Sequence, residues 1–313
     1  MRLRLGTRRS PMALAQARQV ARLLAERTGC TAELVEVTTF GDVSPADLSQ
    51  IGGTGVFVSG LRARLLAGEI DLAVHSLKDL PTGPAAGLTL AAVLSRDDPR
   101  DALVAEAGAK LADLPAGARI GTGSPRRAAQ LRLLRPDVEP VAVRGNAGTR
   151  LAKVSSGQLD AVVLAYAGLV RIGRLDAVTQ VFEPDEMLPA PGQGALTVEC
   201  GDRPELCELL ASLDDAASHV AATAERSVLA ELQGGCSAPV GAYAVWAPGT
   251  DTVQLRAAVI DPAGGGAVRG GSSGRPEDAE ALGREVAGYL LRQGARNYIT
   301  VPSARPSNGG DPQ

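Results

Sequence analysis

The sequence predicts an α/β protein: two similar α/β domains followed by a small α+β domain. Three observations carry this expectation. Short apolar runs alternate with helical patterns through the first 200 residues, as in parallel sheets with helices on their faces. The segment "LGTRRSP" (5–11) is echoed by "IGTGSP" (120–125), each placing Gly-Thr after a strand and Ser-Pro at a helix start. From about residue 215 the alternation gives way to a helix, two strands and a final helix.

The elements follow in order. Residues 3–6 read as the first strand, and Leu14, Ala17, Val20 and Leu24 then mark one helix face at three-to-four spacing. A second strand covers 34–37, Leu61 and Leu65 mark a second helix, and strands follow at 70–74 and 88–93. The second series has a strand at 119–122, a helix over 125–134, a strand at 138–143, a helix from about Ala147 and a strand at 161–164. Ser10-Pro11 and Ser124-Pro125 are good helix-opening chemistry, serine as the cap and proline at the first position. The echo has two readings: shared turn chemistry, or two similar domains facing each other, each offering a helix N-terminus to an anion. In the last third, Val220, Ala224, Val228 and Leu232 suit a helix. Residues 240–246 and 253–260 suit antiparallel strands, with turns at Pro248-Gly249 and Pro262, and Ala279, Leu282, Val286 and Leu290 suit the last helix. The tail from 303 to 313 is polar and expected to be disordered.

Composition excludes several classes. The chain has 313 residues, 45% hydrophobic, which is ample for two or three cores. Aromatics are only 3% and the net charge is −3, so neither base stacking nor a global positive field supports nucleic-acid binding. Cysteines at 30, 200, 207 and 236 form no C-x-x-C, and histidine occurs only at 75 and 219, so no metal site is expected and no disulfide framework is indicated. The N-terminus lacks a signal-like apolar run and no stretch approaches a membrane span, so a reduced cytoplasmic setting is the expectation.

Charge gathers on loops after strands. Arg8 follows the first strand, "VHSLKDLP" (74–81) follows another, and Arg126, Arg127, Arg144, Arg150 and Arg171 lie after strands of the second series. Ligands of open α/β sheets bind at such carboxyl ends. Converging guanidinium groups would bind carboxylates or phosphates bidentately. There is no phosphate-binding G-x-x-x-x-G-K-[ST], so a P-loop is excluded. Asp79 stands beside Lys78 on one of these loops, and Cys236 sits on a loop, "ELQGGCSAPVG" (231–241), whose glycines and proline keep it out of regular structure. Such a placement presents a sulfur to a partner. No Ser-His-Asp or Cys-His arrangement is readable.

Taken together, "GTRRSP", "TTFGD", "GGTGVFV", "DLAVHSLKDLP", "RDDPRDA", "GTGSPRR", "RGNAGTRL", "LPAPGQGAL" and "LQGGCSAP" resemble, in this order and over nearly the whole chain, the porphobilinogen deaminase (hydroxymethylbilane synthase) family. The resemblance implies two lobes like those of periplasmic binding proteins and a third domain. The implied boundaries are 1–94 with a return segment 194–213, then 95–193, then 214–302. It implies a dipyrromethane cofactor attached to Cys236 by a thioether and held by Asp79, Lys78, Ser124, Arg126, Arg127 and Arg150. Porphobilinogen would be bound by Arg8, Ser10, Arg144, Arg150 and Arg171, with Asp79 as the catalytic carboxylate. Four porphobilinogen units would add in turn with loss of ammonia, through an electrophilic azafulvene, and water would release hydroxymethylbilane. A monomer is implied, with neither nucleic acid nor membrane as partner. Phe40 and Thr54 stand where the family often carries basic residues, in an expected lid loop at about 40–60, and Gly123 stands where it often carries serine. The alternative is a non-enzymatic anion-binding or sensor protein on the same two-lobe fold. It would use the arginines but neither Asp79 nor a modified Cys236.

Overall fold

Leu3 and Leu5 alternate into the core along β1 (Arg2–Arg8), and the chain then turns at Ser10. There the backbone is extended and the Ser10 hydroxyl accepts from the Ala13 amide at 3.2 Å. With Pro11 at the first helical position, this opens α1 (Pro11–Thr28). Ala17, Val20 and Leu24 bury one face of that helix, and Gly29, at φ 69°, ends it. The computed structural model describes residues 1–38, 58–235, 238–247 and 249–299. Phe40, Thr54, Cys236, Pro248 and the 303–313 tail therefore lie outside the described residues, as does most of the 40–60 loop.

The first lobe continues with β2 (Thr31–Val37), α2 (Ser59–Leu66), β3 (Leu72–Ser76) and β4 (Leu88–Val93). The chain then passes to a second lobe: β5 (Asp101–Ala105), β6 (Arg119–Thr122), α3 (Pro125–Leu134), β7 (Glu139–Ala142), α4 (Ala147–Ser155), β8 (Ala161–Ala165), α5 (Tyr166–Arg171) and β9 (Gln180–Val181). It returns as β10 (Leu196–Gly201) and α6 (Pro204–Ala211). The first sheet has the order β2-β1-β3-β10-β4 and the second β7-β6-β8-β5-β9. In both, the first three strands are parallel, and the fourth in that order is antiparallel to its neighbour: β10 against β3, β5 against β8. The echo read in the sequence is therefore topological. Each antiparallel strand is the one that the chain enters on crossing from the other lobe.

The last unit packs α7 (Ala216–Glu231) and α8 (Ala279–Arg292) on an antiparallel sheet of β11 (Val240–Trp246), β12 (Val253–Ile260) and β13 (Ala267–Gly274). Val228, Val240, Leu255, Leu282, Val286 and Leu290 make its core. Strand β13 was not expected from "AVRGGSSG", which is poor in strand-forming residues. Its glycines have a packing reason. A Cβ on Gly270 would lie 2.8 Å from the Tyr289 ring of α8. The strand is thus specified by the helix that covers it.

One buried carboxylate ties this unit to both crossovers. Glu225 of α7 is 0% exposed. It accepts both arms of Arg96, at 2.7 and 3.0 Å, from the crossing segment between β4 and β5. It also accepts the amide of Gly192 at 2.7 Å, from the segment between β9 and β10, and the amide of Ala244 on β11 at 2.8 Å. All the acceptor capacity of the carboxylate is engaged, as burial of a charge requires.

Candidate active site

Strand β3 delivers the first part of the site. It ends in a tight 3-10 turn, Leu77–Asp79. Leu77 is fully buried, and its amide donates to the Ala195 carbonyl at 3.0 Å. From α7, Arg226 donates to the Leu80 and Pro81 carbonyls at 2.9 and 2.7 Å. So anchored, the turn leaves Asp79 exposed and directs the half-buried Lys78 to Gln193, with Nζ to Oε1 at 3.2 Å.

The second part comes from the other lobe. Ser124 caps α3 through the Arg127 amide at 3.4 Å, which places Arg126 and Arg127 on the first turn. Below them Asp101, the first residue of β5, is 0% exposed. Arg127 donates to its Oδ1 from Nε at 3.0 Å and from Nη2 at 2.8 Å, and Arg126 Nη1 lies 2.8 Å from Oδ2. Arg126 also donates to the Leu188 carbonyl. Gln193 joins the halves. Its Oε1 accepts from Arg127 at 3.2 Å, while its Nε2 donates to Asp101 at 2.8 Å and to the Pro99 carbonyl at 2.7 Å. A continuous polar chain thus runs Lys78–Gln193–Arg127–Asp101–Arg126 from one lobe to the other.

Positive charge predominates along this chain. Burial alone would raise the Asp101 carboxyl, but Arg126 and Arg127 hold it well below the usual carboxylate range. Burial, with Arg127 close by, pushes Lys78 down to about 8. Arg150 is lowered by burial and then by Arg127. Its Nε donates to the Gly145 carbonyl at 2.9 Å. A Cβ on Gly123 would stand 2.9 Å from the Val143 carbonyl and 3.4 Å from Arg150 Nη2, so glycine there lets the guanidinium lie close to the backbone. The Nε of Arg126 is buried without a hydrogen-bond partner.

Of the remaining sequence candidates, Arg8, Ser10 and Arg144 lie at carboxyl ends of strands in the two lobes. Arg8 ends β1 and is half-buried, Ser10 caps α1, and Arg144 is exposed beyond β7. Arg171, at the end of α5, pairs with Asp97 at 2.7 Å and donates to the Gly194 carbonyl at 2.7 Å, one residue on each crossing segment. Across the lobes, Met12 of α1 meets Gly168 of α5, where a Cβ would come within 3.3 Å of its methyl group. Cys236 lies outside the described residues, and its flanks are joined by the Ala238 amide donating to the Gly235 carbonyl at 2.9 Å. Sequence reasoning did not assign Asp101, Gln193, Glu225 or Arg226. Asp101 and Gln193 sit inside quoted segments, "RDDPRDA" and "LPAPGQGAL", but their roles are tertiary and have no local pattern.

Residues 3–208 match the family described as "Porphobilinogen deaminase, dipyromethane cofactor binding domain", and residues 219–292 match its C-terminal domain. The chain belongs to the porphobilinogen deaminase family. A porphobilinogen deaminase from Thermobifida fusca (strain YX) is 56% identical over 310 residues, spanning 96% of this chain and 97% of that protein. "Porphobilinogen deaminase 1" of Streptomyces coelicolor is 54% identical over 309 residues, spanning 95% and 97%. Among solved structures, the BvgS VFT2 domain of Bordetella pertussis aligns at a TM-score of 0.42 and 19% identity, over 68% of this chain and 86% of that one. Membership in the porphobilinogen deaminase family makes the chain an enzyme of tetrapyrrole synthesis, and most of its length corresponds to the family's dipyrromethane-binding domain. No helix among the described residues is long and apolar enough to cross a membrane.

Proposed function

We propose that the chain is a transferase that condenses four porphobilinogen molecules head to tail on a dipyrromethane attached to Cys236, releases one ammonia at each addition, and frees hydroxymethylbilane by hydrolysis. The observation that carries this reading is the cation-rich chain from Lys78 to Arg126, in which one buried acid, Asp101, pairs with Arg126 and Arg127 and is joined to Lys78 through Gln193.

That donor set fits the group. A polypyrrole brings an acetate and a propionate with each ring, and such carboxylates resist desolvation unless fixed cations meet them. Lys78, Ser124, Arg126, Arg127 and Arg150 would hold the dipyrromethane, with Asp79 against it. Arg126 and Arg127 would do so with guanidinium groups already oriented by Asp101. Arg8, Ser10, Arg144, Arg150 and Arg171 would hold the incoming porphobilinogen. When bound, the dipyrromethane supplies a covalent primer for elongation. Asp79, exposed at the end of its turn, stabilises positive charge on pyrrole nitrogen and accepts or returns its proton. Such electrostatic stabilisation is worth roughly 3 kcal/mol, and acid–base assistance about 10²–10⁴-fold.

The same reading divides the chain into 1–94 with 194–213, 95–193 and 214–302, acting as a cytoplasmic monomer. The test is stoichiometric. Incubated with porphobilinogen, the protein should release about one ammonia per molecule consumed, with a linear tetrapyrrole as product. Binding of porphobilinogen without ammonia release would instead establish an anion-binding protein.

A further inference from the structure

Cys200 and Cys207 form a thiol pair that the proposed chemistry leaves unused. Their sulfurs lie 3.7 Å apart. The turn between them makes the meeting specific. The Arg203 amide donates to the Gly201 carbonyl at 2.7 Å, and the Leu206 and Cys207 amides both donate to the Arg203 carbonyl at 3.0 Å. This folds α6 back over the end of β10. Cys200 is 0% exposed and packs with Leu206 and Leu210, whereas Cys207 is half-buried on the outer side, near exposed Asp202, Arg203 and Glu205.

The geometry points to a reversible oxidation site in which Cys200 and Cys207 are joined as a disulfide by hydrogen peroxide. The sulfurs must close from 3.7 Å to about 2.0 Å for the bond to form. Access sets the order. Cys207 meets solvent, so its thiolate attacks the peroxide oxygen, the O–O bond breaks, and the departing hydroxide leaves as water after taking a proton. The Cys207 sulfenic acid so formed is attacked by the Cys200 sulfur. The S–S bond forms, the S–O bond breaks, and the oxygen leaves as a second water carrying the Cys200 proton. Two thiols lose two electrons and one peroxide becomes two waters. Burial pushes the Cys200 thiol up to about 12, consistent with its acting second.

The pair is remote from the proposed site. Along β10, Leu196 is opposite Ser76 and Cys200 opposite Leu72, so the thiols lie at the end of the strand away from the Lys78–Asp79 turn. Oxidation should therefore leave turnover unchanged.

The test uses the cofactor-loaded enzyme, treated with a small excess of hydrogen peroxide, alkylated without reduction and cut with a glutamate-specific protease. Cleavage after Glu199, Glu205 and Glu208 puts the two cysteines on separate peptides. The expected result is peptide 200–205 linked to peptide 206–208, separated by dithiothreitol, with Cys30 alkylated and porphobilinogen consumption retained. In Cys207→Ser the linked peptide should vanish. In Cys200→Ala, Cys207 should accumulate as a sulfenic acid trapped by dimedone. Recovery of Cys207 as sulfinic acid beside an alkylated Cys200, a disulfide to Cys30 instead, or no reaction at either thiol would overturn the assignment.

Discussion

Lys78 and Arg127 donate to the same oxygen, Gln193 Oε1, each at 3.2 Å, although they stand on different lobes. The shared acceptor brings an ammonium and a guanidinium together at half-buried and buried positions. Burial first, and the neighbouring Arg127 second, lower Lys78 to about 8 against an ordinary 10.5.

That value sets a pH dependence. In the free enzyme Lys78 is charged below about 8 and loses its charge above it. Since kcat/KM reports groups of the free enzyme, kcat/KM for porphobilinogen should fall as pH rises through about 8. Lys78→Arg should abolish that fall while leaving a positive group in place. Stability moves in the opposite sense. Between about 8 and 10.5 the unfolded chain holds more protons than the folded one at this lysine, so its contribution to stability rises with pH across that window. An identical kcat/KM profile in the variant would show that the charge on Lys78, as a holder of the dipyrromethane, does not set this dependence.

The Glu225–Arg96 pair tests what holds the three units together. Glu225→Ala would strand a guanidinium beside the crossing segments and leave the Gly192 and Ala244 amides without their acceptor. Breaking a buried pair from one side costs roughly 3–5 kcal/mol, so urea unfolding should show a loss of that size. Arg256→Ala, which removes the solvent-exposed pair with Asp185, should cost below about 1 kcal/mol. Equal effects of the two variants would show that Glu225 is not the tie described above.

Asp79 supplies the sharpest catalytic variant. Asp79→Glu keeps the charge and moves it by about one carbon–carbon bond, and a misplacement near 1 Å can cost about 10²-fold in rate. Because Asp79 is exposed at the end of an anchored turn, the variant should fold with unaltered thermal stability and lose about 10²-fold in kcat. Near-normal turnover would take the catalytic role away from it.

What could be read from the sequence was local. Helix α3 spans the expected residues, 125–134, because its start rests on a serine cap and a proline three residues or fewer from the groups they serve. The strand at 88–93 was legible as a short, mostly apolar run interrupted only by Thr89. Strand β13 was not, because its Gly270 answers to Tyr289 across the packing interface. The arginines following Ser124 were legible as a cationic cluster, but the acid that orients Arg127 comes from 26 residues upstream. Gln193, whose contact with Lys78 spans 115 residues, carries no local mark of its task. The cluster of charges was visible in outline, while the buried Asp101 and Gln193 that bridge it became visible only once both lobes were folded.

The central claim, a primer covalently tethered at Cys236 within this cationic site, is tested most directly by intact-mass measurement of the protein after incubation with porphobilinogen, beside Cys236→Ser treated identically. The account predicts a persistent increment of two linked pyrrole units on the native chain and none on the variant. A native chain that stays at its bare mass, or a variant that keeps the increment, would contradict it.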